Sequence, residues 1–143
     1  NAMQDAVIVS TARTPIGKAF RGGLNDTDGA TLGAHAIKHA VERAGIEPGE
    51  VEDVIMGCVS QVGDQAMNIG RQSVLAAGFD ETVPATTIDR QCGSSQQAIH
   101  FAAQAVMSGT QDLVIAGGVE SMSQVPIGSP VMAVKETFCL NIS

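Results

Sequence analysis

The sequence predicts an α/β domain with a mainly parallel mixed sheet, covering helices and one helix that is largely buried. Short apolar runs rich in β-branched residues alternate with longer segments of helical periodicity, which is typical of βαβ units. Glycine follows most of these segments and marks their ends. With 143 residues, the chain is long enough to form one domain around its own core.

The N-terminal part predicts a strand, a long loop and a helix. Residues 6–9, Ala-Val-Ile-Val, form a β-branched apolar run typical of a buried strand. Residues 10–30 are rich in Gly, Pro, Asp and Asn. Connections usually have a length of about 4–6 residues, so this long one indicates a functional or interface loop. Residues 31–44 carry apolar side chains on one side at helical spacing, and Gly45 ends this helix.

The middle of the chain predicts two further strands with a helix between them. We interpret residues 53–57, Asp-Val-Ile-Met-Gly, and residues 85–88, Ala-Thr-Thr-Ile, as strands. Between them, Asn68 is a suitable N-cap for a helix that ends near Gly78.

The third strand leads directly into an apolar helix over residues 94–108. Ser94 and Gln97 have the spacing of a capping box at its start. Apolar residues surround the helix axis almost completely, so we expect this helix to be buried on most sides. A fourth strand is predicted over residues 112–116, with Gly117 and Gly118 as the turn that closes it.

The periodicity divides the chain into three parts. Asn1 and Ala2 precede the first Met and are interpreted as a cloning scar. Residues 3–125 form the predicted α/β domain. Residues 126–143 contain several Pro and Gly residues and no regular pattern, so we expect an irregular tail.

Charge and cysteine content exclude several classes of function. The formal net charge is −7, and the eight Lys and Arg are scattered, which argues against a nucleic-acid partner and a membrane-surface partner. The three cysteines are odd in number and lack CxxC spacing, so they predict neither a disulfide framework nor a zinc site. Reduced thiols favour the cytoplasm or another reducing compartment, and we expect a cytoplasmic location.

Cys92 is the candidate nucleophile because of its position between a strand and a helix. Free amides and the positive end of the helix dipole favour a thiolate there. Gly93 and Ser94 are small, so a substrate carbonyl can approach the backbone amides that would hold an oxyanion. The alternative from position alone is a small buried residue at a helix start.

The other cysteines and the histidines are given structural or surface roles. Cys58 follows a strand and Cys139 lies in the tail, so both are interpreted as structural. His35 and His39 have the i, i+4 spacing of metal ligands but lack a third ligand, which favours solvent-exposed histidines. His100 lies about 11 Å along the helix from Cys92, too far to act as its base.

Two acidic residues near the strand ends have structural interpretations as well. Glu120 is either a catalytic base or, in the preferred interpretation, a solvated or turn-stabilising carboxylate. Asp89 and Arg90 lie at the exit of the predicted third strand and are expected to pair with each other, which needs no catalytic role.

Three motifs in register resemble the thiolase family (acetyl-CoA C-acyltransferases and acetyl-CoA acetyltransferases). Residues 12–18, Ala-Arg-Thr-Pro-Ile-Gly-Lys, resemble the opening motif, and residues 91–98, Gln-Cys-Gly-Ser-Ser-Gln-Gln-Ala, resemble the nucleophile motif. Residues 116–123, Ala-Gly-Gly-Val-Glu-Ser-Met-Ser, are similar to the segment after the fourth strand. Order and spacing agree from about residue 5 to residue 125, which covers the N-terminal domain only, and the tail over residues 126–143 does not resemble the family.

The resemblance implies a thiolase fold and a two-step acyl transfer of fatty acid metabolism. Cys92 would take an acyl group from a CoA thioester, and 3-ketoacyl-CoA cleavage or acetyl-CoA condensation would follow. CoA and acyl-CoA would be substrates, with no bound cofactor and no metal; residues that bind CoA are not assigned. In the family, an activating His, an Asn-held water and a second Cys come from the C-terminal half.

The resemblance therefore implies a truncated chain that is inactive alone. The apolar helix over residues 95–108 should lack its cover here, which favours a homodimer or a separate C-terminal half. Other functions stay open: half of a ketoacyl-synthase-like condensing enzyme, a non-catalytic dimerising fragment of the same fold, or a thiol redox sensor, although no resolving Cys is near in sequence.

Overall fold

The computed structural model describes residues 3–135, with side chains through residue 132. Within that range the helices are α1 (Gly29–Ala44), α2 (Ile69–Ala76), α3 (Ser94–Met107) and α4 (Ser129–Lys135). The strands are β1 (Asp53–Gly57), β2 (Ala85–Ile88) and β3 (Val114–Gly118), and short 3-10 turns lie at Pro48–Glu50 and Gly63–Gln65. The α/β class predicted from the alternation of strands and helices is confirmed.

The described strands form a parallel sheet in the order β2-β1-β3. Ile55 in the central strand aligns with Thr86 on one side and with Ala116 on the other. The connection from β1 to β2 runs through α2, and the connection from β2 to β3 runs through α3. An antiparallel member, which a mixed sheet requires, is not present among residues 3–135.

Helices cover both faces of the sheet because side chains alternate along β1. Val54 and Met56 pack with Ile37 of α1 and Val74 of α2 in one buried cluster. Ile55 points the other way and packs with residues of α3 in a second cluster, namely Ala98 and Ala102. The result is a three-layer arrangement with β1 at its centre.

The N-terminal run does not form the predicted strand. Residues 6–9 have no regular secondary structure, and Val7, Ile8 and Val9 are 76%, 79% and 67% exposed. A β-branched run becomes a strand only when another strand takes up its backbone hydrogen bonds, and no described strand pairs with it. The predicted loop over residues 10–30 is also shorter, because Asp28 caps α1 through its hydrogen bond with the Thr31 amide.

Helix α3 is buried on one face instead of on most sides. Ala98 and Ala102 pack against the sheet, whereas Ile99 is 44% exposed and Gln96 and His100 are exposed as well. In the part of the chain that the structure describes, nothing covers the outer face of α3, as the sequence predicts. No helix in the described part of the chain combines the length and the apolar character needed to cross a membrane.

The fourth strand and the tail also differ from prediction. Strand β3 begins at Val114 and includes Gly117 and Gly118, which were expected in a turn. The tail was predicted to be irregular, but its residues 129–135 form α4. At the start of this helix the Ser129 amide donates to the Pro126 carbonyl, and the Val131 amide donates to the Gly128 carbonyl. Proline and glycine residues that precede a segment do not prevent that segment from forming a helix. Residues 1–2 and 136–143 lie outside the described range, so neither the predicted scar nor the rest of the tail is tested.

Candidate active site

Cys92 lies in the turn that joins β2 to α3. Strand β2 ends at Ile88 and α3 begins at Ser94, so the sulfur is two residues before the first helical residue. Its side chain is exposed. Gly93 occupies the N-cap and offers no side-chain acceptor, so no side chain caps the first turn of α3. The predicted position of the thiol at a helix start is therefore confirmed.

The turn around Cys92 is held by side chains on both sides of it. Gln91 has a φ of 48°, a left-handed conformation that costs a non-glycine residue about 1–3 kcal/mol. The Asp89 carboxylate accepts a hydrogen bond from the Gln91 amide at 2.7 Å. Ser94 Oγ accepts from the Arg90 amide at 2.9 Å and donates to the Gln91 carbonyl at 2.6 Å. These bonds stabilise a strained backbone directly before the sulfur.

Two predictions about this turn are wrong. Ser94 and Gln97 do not form a capping box, because Ser94 is already helical and its hydroxyl bonds backward to the turn. Asp89 and Arg90 do not pair with each other: the Asp89 carboxylate bonds the Gln91 amide, and the Arg90 guanidinium bonds the side-chain oxygen of Gln97. In both cases the tight turn brings the side chain to a partner other than the one that sequence spacing predicts.

Glycines let the start of α3 approach the sheet closely. A Cβ at Gly57 would lie 2.4 Å from the Ser95 amide nitrogen, and a Cβ at Gly118 would lie 2.6 Å from the Ser95 Cβ. Atoms cannot come that near without displacement. The backbone of β3 thus passes close to the start of α3 at Gly118, which belongs to a strand and not to the predicted turn.

The exposed sulfur lines a pocket of about 820 Å³ at the carboxyl edge of the sheet. Each strand contributes pocket residues from the segment after its last residue: Cys58 and Val59 after β1, Asp89 and Cys92 after β2, and Val119 and Glu120 after β3. Because β1 and β2 lead to helices on opposite faces of the sheet, a crevice opens between their loops, where ligands of open α/β sheets usually bind.

The three motif segments meet at this pocket. Ala12 and Arg13 from the first motif line it together with Cys92 from the second and Met122 from the third. Ile127 and Val131 also line it, and sequence reasoning missed them because they follow the last recognisable motif. An exposed Arg13 supplies a positive charge on the wall of the pocket.

Cys58 is a second thiol on the pocket, but its environment is different. It is 1% exposed and its sulfur lies 3.8 Å from a Glu120 carboxylate oxygen. Burial, and then the nearby negative charge of Glu120, raise the pKa of the Cys58 thiol to about 12. The structural role predicted for Cys58 agrees with a thiol that stays protonated. Cys139 lies outside the described residues.

Glu120 stabilises loops, which agrees with the preferred interpretation of this residue. Its carboxylate accepts hydrogen bonds from the Val59 amide at 2.8 Å, the Ser60 amide at 3.3 Å and the Gln65 side chain at 2.9 Å. Gln65 is fully buried. Sequence reasoning missed Gln65 because a single polar residue in a loop gives no periodic signal.

The three histidines do not line the pocket. His39 pairs with Glu42 at 3.0 Å and its ring lies against that of His35, on the surface of α1. His100 is exposed and contacts the side chain of Gln96 at 3.0 Å. In the described range, no group of three or more His, Cys, Asp or Glu residues is arranged to hold a metal ion.

Comparison with known proteins agrees with this geometry. The family model for the thiolase N-terminal domain matches residues 6–141, which extends into the tail. The chain is similar to a steroid 3-ketoacyl-CoA thiolase of Mycobacterium tuberculosis, with 53% identity over 95% of this chain and 33% of that protein. It is also similar to a 3-ketoacyl-CoA thiolase of Bacillus subtilis, with 46% identity over 87% of this chain and 32% of that protein.

A solved structure gives the same result for the fold. The crystal structure of the Bacillus anthracis acetyl-CoA acetyltransferase superposes with a TM-score of 0.82 at 45% identity, over 88% of this chain and 32% of that one. The chain thus spans about a third of the length of the curated relatives it matches. An exposed cysteine at the start of α3, three converging motifs and these matches lead to one assignment: the chain belongs to the thiolase family and corresponds to its N-terminal domain.

Proposed function

We propose that this chain carries the acyl-accepting half of a thiolase-type acyltransferase, with Cys92 as the nucleophile. The exposure of Cys92 at an uncapped helix start, inside a pocket that all three motifs line, is the observation that supports the proposal most strongly. Relatives named as 3-ketoacyl-CoA thiolases and an acetyl-CoA acetyltransferase support CoA thioesters as the substrate class.

The first step is an exchange of thioesters. The Cys92 thiolate attacks the carbonyl carbon of an acyl-CoA, the bond between that carbon and the CoA sulfur breaks, and CoA leaves as a thiolate that takes up a proton. The acyl group stays on Cys92 as a thioester. Backbone amides at the start of α3 are suited to stabilise the negative charge that develops on the carbonyl oxygen.

The second step requires groups that this pocket lacks. Condensation removes a proton from the methyl carbon of acetyl-CoA, and cleavage runs in the reverse direction. No histidine is among the pocket-lining residues of the described range, so we expect acylation of Cys92 without complete turnover when the chain is alone. CoA acts as a substrate in this proposal, and the chemistry calls for neither a bound cofactor nor a metal.

Partners follow from the uncovered helix and the charge. The outer face of α3 presents Ile99, which supports a homodimer or a C-terminal half as the partner. The net charge of −7 supports neither a nucleic-acid nor a membrane partner. Reduced thiols support a cytoplasmic site of action.

The test is acetylation of Cys92 by acetyl-CoA, followed by intact-mass and peptide mass spectrometry. We expect one acetyl group on Cys92, none in Cys92→Ser, and iodoacetamide alkylation of Cys92 faster than that of glutathione at neutral pH. A 3-ketoacyl-CoA cleavage assay with added CoA should give no sustained turnover. Cys92 that is neither acetylated nor more reactive than glutathione would favour a non-catalytic fragment, and robust turnover would contradict the expected inactivity.

A further inference from the structure

Glu120 makes only one kind of contact: every group that it bonds is a donor. The amides of Val59 and Ser60 and the amide nitrogen of Gln65 all point to its two oxygens, at 2.8, 3.3 and 2.9 Å. A carboxylate accepts at both oxygens, whereas a carboxamide accepts at one and donates at the other. The site therefore requires a carboxylate and would not be satisfied by the isosteric glutamine.

These bonds join loops that are distant in sequence. Val59 and Glu120 are separated by 61 positions. Gln65 extends the connection, since its side chain donates to the Ser60 carbonyl at 2.9 Å and accepts from the Ser121 amide at 2.6 Å. The loop after β1 is thereby fixed to the loop after β3, and both loops are walls of the pocket that holds Cys92.

We propose that Glu120 is a positioning residue that fixes the pocket walls against which an acyl-CoA binds for attack by Cys92. This inference rests on the proposed function and deepens it by separating two properties of the site. The turn between β2 and α3 determines the reactivity of the sulfur, and the Glu120 connection determines how a thioester is held against it. The rate at which Cys92 reacts with a small reagent that needs no binding site, such as iodoacetamide, should therefore not depend on Glu120.

The chain contains a matched control at the other end of the same strands. The Glu52 carboxylate accepts hydrogen bonds from the amides of Asp112 and Leu113, and so joins the segments that enter β1 and β3. Glu52 is exposed and does not line the pocket. Glu52→Gln and Glu120→Gln thus make the same chemical change at opposite ends of one pair of strands.

The experiment measures two reactions of Cys92 in wild type and in both variants. The first is the rate of acetylation as a function of acetyl-CoA concentration, and the second is the rate of alkylation by iodoacetamide. For Glu120→Gln we expect the acetylation rate constant to fall about tenfold or more, because misplaced binding groups are costly to reaction, while alkylation stays near the wild-type rate. Glu52→Gln should retain both rates.

The acetylation rates separate failure of the positioning role from failure of the proposed function. A folded Glu120→Gln that is acetylated at the wild-type rate would overturn the positioning role, and so would an equal loss in Glu52→Gln. Wild-type chain that acetyl-CoA does not acetylate would refute the proposed function, and the inference with it. Should Glu120→Gln fail to fold, Gln65→Met is the second variant: it removes the donor to Glu120 together with the bonds to the Ser60 carbonyl and the Ser121 amide, all of which join the two loops. A selective loss of acetylation there supports the inference, and a wild-type rate overturns it.

Discussion

Cys58 and Cys92 line the same pocket, and their surroundings give them different chemistry. Cys92 is exposed beside an uncapped helix start, whereas Cys58 is buried beside the Glu120 carboxylate. Desolvation and a neighbouring negative charge both disfavour a thiolate at Cys58. One residue type thus serves as candidate nucleophile at one position and as a neutral packing group at the other.

At the residue scale, we predict that the contribution of Cys58 to stability decreases as pH rises. Folding raises the pKa of this thiol from its ordinary 9.0 to about 12. The native state therefore retains a proton that the unfolded state releases between those values, and rising pH favours unfolding. The difference in unfolding free energy between wild type and Cys58→Ala, measured by urea denaturation in reductant, should shrink between about pH 8 and about pH 10.5. A constant difference would contradict it.

The element that positions the candidate nucleophile is α3, and its start is set by contact with the sheet. Gly57 at the end of β1 and Gly118 at the end of β3 allow Ser95 to lie directly over the strands. Ser94 is 4% exposed, and its hydroxyl accepts a hydrogen bond from the Arg90 amide in the turn. The position of Cys92 depends on this packing as well as on the helix itself.

At the element scale, we predict that Gly57→Ala destabilises the fold by about 1–3 kcal/mol, since overpacking displaces backbone. The added methyl would meet backbone atoms of Ser94 and Ser95 at 2.5 and 2.4 Å, so the start of α3 has to move and Cys92 alkylation should slow. Urea denaturation and the iodoacetamide rate measure the two effects. Gly49→Ala is the control, because nothing lies within 4 Å of its Cβ position. Equal stability of the two variants would rule out the close approach.

Among residues 3–132, apolar surface is exposed on two sides of the molecule. The outer face of α3 presents Ile99, and residues 7–9 expose three apolar side chains without strand partners. The chain spans about a third of the length of the curated relatives it matches. Exposed apolar patches of this kind are typical of interfaces.

At the scale of the whole molecule, we predict self-association through the outer face of α3. A charge buried in an apolar interface is unfavourable, so Ile99→Glu should shift the chain to a monomer in sedimentation equilibrium without loss of secondary structure. Ile16→Glu is the matched control: Ile16 is 91% exposed, lies outside α3 and should leave the association unchanged. A wild-type chain that stays monomeric at high concentration would contradict the prediction.

Local patterns in the sequence were sufficient to predict most of the elements and the position of the candidate nucleophile. Hydrophobic periodicity and glycine stops predicted β1, β2 and the three long helices to within a few positions, and Cys92 was predicted at the start of α3. These features depend on residues that are near one another in the chain, which is the range over which periodicity and capping act. Each motif that lines the pocket is likewise a short continuous segment of the sequence.

Which groups distant in sequence come into contact depends on the tertiary structure. It placed Cys58 on the pocket beside Glu120, joined Val59 to Glu120 across 61 positions and left residues 6–9 without a strand partner. It also turned Ser94 and Arg90 away from their predicted partners. The physical reason is that burial and hydrogen-bond pairing are set by what packs against a segment, and a local pattern does not contain that information.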